Sequence, residues 1–121
     1  MVDSNTGDSS LHNLVSSDKV EGTAVYNRSA NRLGTISSLM IDKRTGQVEY
    51  AILSFGGIFG IGSDHYPLPW SKLEYDTVKH GYVVDMTREQ LLHAPSFAPE
   101  APHQFAPSFF EDIKSYYRGS R

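Results

Sequence analysis

Leu33-Gly34-Thr35-Ile36-Ser37-Ser38-Leu39-Met40-Ile41-Asp42, then Lys43-Arg44-Thr45-Gly46, then Gln47-Val48-Glu49-Tyr50-Ala51-Ile52-Leu53-Ser54-Phe55 is the stretch on which the fold turns. Two long runs rich in β-branched and aromatic residues flank a tight turn, the pattern of a β-hairpin. In the second run Val48, Tyr50 and Ile52 point one way, and Glu49, Ala51 and Leu53 the other. In the first, Ile36, Ser38 and Met40 are expected on one face and Leu39 and Ile41 on the other. That alternation is poor, as it is for a strand covered on both faces. Gly34 marks a bend or a close-packing point, and Gly46 supplies the positive φ of the turn. Long, bent strands of this kind suit a small, tightly curved barrel.

Working outward, the glycine run Gly56-Gly57-Ile58-Phe59-Gly60-Ile61-Gly62 precedes His65-Tyr66-Pro67-Leu68-Pro69-Trp70. Pro67 and Pro69 lack amide donors, so Tyr66 to Trp70 reads as an edge strand or a bulged segment. Leu73 to Asp76 is a fifth strand, residues 77–81 turn the chain, and Tyr82 to Met86 is a sixth. Upstream, Thr23 to Tyr26 is a short first strand, and Asn27 to Arg32 a hairpin loop. Ser17 to Val20 is a helical turn capped by Ser17 and ended by Gly22. Thr87-Arg88-Glu89-Gln90 is a capping box with Met86 and Leu91 as its hydrophobic staple, and Pro95 stops that helix.

Four segments follow. Residues 1–13 are small and polar and are expected to be disordered and dispensable for folding. Residues 14–94 form the barrel and its short closing helix. Residues 95–107 are a proline-rich extended linker, in which Phe97 and Phe105 suggest that it lies on something. Residues 108–121 carry a helix opened by a second capping box, Ser108 to Glu111. Phe109, Phe110, Ile113, Tyr116 and Tyr117 recur there at helical spacing, with Lys114 and Arg118 toward the C-terminal end and Gly119 after them. Trp70, held between proline and strand, is expected in the core or at its rim.

The chemistry-bearing residues form no recognisable catalytic set. The 121-residue chain has no cysteine and a net charge of −3, which fits a reducing, cytoplasmic setting and argues against general nucleic-acid binding. No run has the basic start of a signal peptide or the length of a bilayer span. The glycine run is followed by a proline-containing strand, where a phosphate cradle needs a helix N-terminus. His12, His65, His80, His93 and His103 show no metal-ligand spacing, and His65 beside Asp64 reads as a solvent-exposed loop pair. The serines lie in tails, caps and strands with no nucleophile elbow. Arg28 and Arg32 sit at one end of the second strand, and Lys43 and Arg44 at the other, so they cannot make one groove. The reading at this level has no catalytic residue, no metal and no cofactor.

The order of the Gly34 strand, the Asp42 to Gly46 turn, Phe55-Gly56-Gly57, Gly60-Ile61-Gly62 and Pro69-Trp70 resembles the PRC-barrel family over residues 14–86. This is the small barrel shared by the photosynthetic reaction centre H subunit and the ribosome maturation factor. The resemblance implies an all-β, six-stranded, partly open barrel that docks protein or ribonucleoprotein partners and is not an enzyme. The chain shows neither the separate N-terminal domain of the maturation factor nor the spanning helix of the reaction-centre subunit, and looks like the stand-alone bacterial version. Two apolar sets are candidate interaction residues. Ile58, Phe59 and Ile61 either fold down as a lid or project as a contact patch. Phe109, Phe110, Ile113 and Tyr117 either pack on their own barrel or join a second copy. The expected role is a protein-interaction or assembly module acting as a homodimer or larger oligomer, with an unidentified protein partner and no DNA. An RNA- or ribosome-associated assembly factor and a small-ligand-binding barrel are the alternatives.

Overall fold

The computed structural model describes residues 13–55, 64–98 and 107–119. Along the chain run α1 (Ser17–Val20), β1 (Ala24–Tyr26), β2 (Arg32–Ile41), β3 (Val48–Phe55), β4 (Asp64–Pro69), a 3-10 turn (Trp70–Lys72), β5 (Leu73–Asp76), β6 (Gly81–Val84), α2 (Arg88–Leu92) and α3 (Pro107–Gly119). The strands form one curled sheet in the order β4-β3-β2-β1-β6-β5, a half-barrel. β1 to β4 are an antiparallel meander and β5–β6 a hairpin. Parallel pairing of β1 with β6 joins the two sets. The sheet's edges, β4 and β5, are consecutive in sequence, and the barrel is open along their seam.

The central hairpin is built as its residues dictate. Asp42 Oδ1 accepts from the amides of Arg44 and Thr45, and Gly46, at φ +80°, donates to Asp42 O at 2.7 Å. Such a φ is cheap only for glycine. Gly34 serves a different need. A Cβ there would stand 2.2 Å from Ser54 O, so β2 and β3 approach closely only because it is absent.

The faces of β2 differ from the simple alternation. The ladder slips between Ile36 and Ser38, leaving Ser37 bulged with its Oγ donating to Ile52 O at 3.1 Å. Ile36 lies opposite Leu53, and Leu39 opposite Ala51, both buried core residues. Directly opposed residues share a face. Ile36 and Leu39 therefore share the core face, while Ser38 and Met40 share the other. One extra residue inverts the parity after it, which is why the expected grouping of Ile36 with Ser38 and Met40 fails.

β4 starts at Asp64, so His65 is a strand residue and not part of a solvent-exposed loop. Trp70 belongs to the 3-10 turn. The N-cap of α1 is Ser16 and not Ser17; its side chain makes no cap bond, and its Oγ donates to Asp18 instead. At α2 the capping box is complete: Gln90 N donates to Thr87 Oγ1 at 3.0 Å, and Thr87 N to Gln90 Oε1 at 2.8 Å. Met86 and Leu91, its staple, are both buried. β6 ends at Val84, two residues short of the expected strand. α3 starts at Pro107, one residue before the expected cap. Proline's fixed φ and missing N–H suit the first helical position, which leaves Ser108 inside the first turn.

The core gathers Val25, Leu33, Ile36, Ala51, Leu53, Tyr66, Leu68 and Val84 from the sheet with Leu91 and Ala94 from the α2 region, and Ile113 and Tyr117 from α3. The expectations for the first twelve residues, for the glycine run with Ile58, Phe59 and Ile61, for Phe105 and for His12 and His103 lie outside the described residues.

Candidate interaction surface

α3 is a 13-residue helix that would be marginal alone in water, so its apolar face needs cover. The sheet of its own chain provides it. Ile113 is 0% exposed and Tyr117 3%, both within the main core. Phe109 and Phe110 are half-buried against that core. Phe110 tilts onto Tyr50 of β3 with ring centroids 5.8 Å apart, and Phe109 meets Phe97 edge-on at 6.5 Å. Tyr116 reaches α2, where its hydroxyl donates to Gln90 O. The four helix residues singled out from the sequence are thus brought together, two inside the core and two at its rim.

Phe97 belongs to the segment read as linker, and the structure shows what it lies on. It forms an isolated antiparallel bridge with His65 on the free edge of β4, and its ring stands 5.5 Å from the imidazole. Ser96 Oγ donates to Asp64 Oδ2 at 3.3 Å. That serine bonds to the carboxylate and not to His65, whose buried Nδ1 has no hydrogen-bond partner. The trio therefore lacks the serine–imidazole contact of a nucleophilic site. Among the described residues no group of three or more His, Asp or Glu could hold a metal ion.

Burial raises the phenols that line this region. Tyr117 is pushed well above the usual tyrosine value by burial, helped by Tyr116 and Tyr66. Tyr50 is raised by burial and then by the carboxylates of Glu49 and Glu111. Tyr66 is raised by burial and then by Asp64, with a hydrogen bond between its side chain and that of Ser96 opposing. These phenols stay neutral at physiological pH and act as packing groups.

Where the last turns of α3 pass the start of β3 and the end of β4, a cleft of about 440 Å³ opens. Tyr50 and Trp70 contribute aromatic surface to its lining, Lys72, Lys114 and Arg118 positive charge, and Glu49 one carboxylate. Trp70 is half-buried and packs on Tyr82 with centroids 5.4 Å apart, which places it at the core rim. Lys114 and Arg118 carry a trace in the sequence, since an i, i+4 pair shares one helix face. Lys72 and Glu49 carry none, because the cleft exists only where α3 meets two strands far from it in sequence.

The basic pairs stay apart. Arg28 Nε lies 3.6 Å from Asp85 Oδ1 in an exposed ion pair, and the Arg32 carbonyl accepts from Arg88 Nη2 at 3.0 Å. Lys43 and Arg44 lie beyond the other end of β2, roughly 30 Å away at strand rise.

A curled six-stranded sheet with a glycine-pinned central hairpin, open between its edge strands, defines a small β-barrel. The PRC-barrel domain family matches residues 12–91, and the chain belongs to that family. α3 lies beyond the matched residues. No curated protein matches the chain. No helix among the described residues is long and apolar enough to cross a membrane.

Proposed function

We propose that this chain is a non-enzymatic protein-interaction or assembly module that works as a homo-oligomer in the cytoplasm. Membership of the PRC-barrel family supports the interaction role. The cysteine-free sequence fits a reducing compartment. The observation that carries the reading is the seating of α3. Ile113 and Tyr117 enter the core, while Phe109 and Phe110 stay half-covered beside Tyr50 and Phe97. Half-covered aromatics at the rim of a packed patch are the usual anchors of protein interfaces. A second copy offers the same seat for α3, and exchange of an identical element is a low-cost route to a dimer.

The test is light scattering on the full-length protein and on a chain ended after Ala94. The reading expects a full-length assembly larger than one chain that falls to the mass of one chain on truncation. A monomeric full-length protein overturns self-association. A hydrolase or transferase activity that survives purification to homogeneity overturns the non-enzymatic part.

A further inference from the structure

We infer that the cleft between α3 and the β3–β4 end is the docking site for an acidic peptide segment of a partner protein. This rests on the interaction-module reading and gives that module's partner a chemistry. Three cations, Lys72, Lys114 and Arg118, line the cleft against one carboxylate, Glu49, in a chain whose net charge is −3. The cleft thus inverts the sign of the protein as a whole. The ion pairs among the described residues are Arg28–Asp85 and Lys79–Asp76, so none of the three cleft cations is paired with a described carboxylate. Unpaired cations of this kind draw carboxylates and set the orientation of docking.

The floor decides the class of anion. Half-buried Trp70 and Tyr50 offer aromatic faces beside the charges, the pairing of aromatic anchor and arginine that concentrates binding energy in protein interfaces. Glu49, together with Glu111 acting on Tyr50 from the helix, places negative charge at the same site. A continuous polyanion such as a nucleic acid meets that charge at every spacing. A short acidic peptide, whose carboxylates sit on rotatable side chains, turns them toward the three cations and away from Glu49 and Glu111. The volume lies within the ligand-sized range of about 300–1,000 Å³.

Trp70 is the single tryptophan of the chain, so its emission reads this cleft directly. The experiment titrates full-length protein with acetylated hexaglutamate, hexaglutamine, a hexathymidylate oligonucleotide and inorganic phosphate, with calorimetry in parallel. Hexaglutamate is expected to shift Trp70 emission saturably and to bind at least tenfold more weakly as sodium chloride rises from 50 to 300 mM. Lys72→Glu/Lys114→Glu/Arg118→Glu is expected to lose tenfold or more in affinity. Lys19→Glu/Arg28→Glu/Arg32→Glu, with the same change in net charge elsewhere on the surface, is expected to keep it. Lys114→Gln/Arg118→Gln serves as a milder variant should the triple reversal unfold. Equal binding of hexaglutamine, tighter binding of the oligonucleotide or of phosphate, equal losses in the two triple variants, or no binding of hexaglutamate each overturn the site. A protein that self-associates yet ignores hexaglutamate sinks the cleft and leaves the interaction module standing. A monomer that binds hexaglutamate through these cations does the reverse.

Discussion

Phe97 and His65 exchange both of their backbone hydrogen bonds, amide to carbonyl in each direction at 2.9 Å. The pair sits on the outer edge of β4. Backbone groups of alternate residues point the same way in an antiparallel strand, so Pro67 and Pro69 share the outward orientation of His65. Both prolines thus fall where β3 needs no donor, and they offer none to an added strand. His65 is the one outward donor near the start of this edge, and Phe97 occupies it. The bridge seals the edge and carries the chain toward α3.

Loss of that bridge is expected to cost stability. Phe97→Pro removes one donor, and Phe97→Ala removes the ring that touches His65 and Phe109. Each is expected to destabilise by about 1–3 kcal/mol. Denaturant midpoints measure this, and the His65 amide should exchange faster with solvent in both variants. An unchanged midpoint in both would mean that the bridge contributes nothing.

Gly34→Ala and Gly46→Ala are expected to differ in kind. At Gly34 the new Cβ meets Ser54 O at 2.2 Å, so the β2–β3 ladder must open. The cost should reach about 3 kcal/mol or more. At Gly46 nothing lies within 4 Å, and the cost is the positive φ alone, about 1 kcal/mol. Chemical denaturation of the two variants side by side checks the order. A larger loss at Gly46 would contradict it.

Ala30 holds φ +68° in the turn where Asn27 Oδ1 accepts from Ser29 and Asn31. Ala30→Gly should relieve this left-handed strain and raise stability by about 0.5–1 kcal/mol. A lower melting temperature in this variant would be the opposite result.

Ile113→Ala empties a fully buried position of α3 and is expected to cost about 2–5 kcal/mol. Lys114→Ala, one residue on and exposed, should change stability by less than about 0.5 kcal/mol. Equal, negligible losses would show that α3 adds nothing to the fold.

Alkaline stability follows from Tyr117. Its folded-state phenol is raised above the ordinary value near 10. The unfolded phenol ionises from about pH 10 while the folded one stays neutral, so unfolding gains from deprotonation there. Its contribution is complete below that pH and is lost as pH rises toward the folded value. Tyr117→Phe should therefore flatten the fall in melting temperature above about pH 10. Tyr50, Tyr66 and Tyr82 shift in the same direction and will keep part of the slope.

The sequence by itself determined the features whose physics closes within a few residues. The Asp42 to Gly46 turn, the Thr87–Gln90 capping box, the alternation of Tyr50 and Ile52 against Ala51 and Leu53, and the edge character of the proline strand all follow from local hydrogen bonds, φ limits and period-two geometry. The order of those pieces was enough to mark the family. Tertiary structure decided what depends on residues distant in the chain. The Ser37 bulge, which turns Leu39 and not Ser38 inward with Ile36, is fixed by pairing with β3. The bridge from Phe97 to His65 links residues that no local pattern relates. The cleft joins Lys72 and Trp70 to Lys114 and Arg118 only because Ile113 and Tyr117 bury α3 in the core. Burial of an apolar face constrains a helix to some surface, but the surface it selects is set by the shape and chemistry of the whole folded sheet.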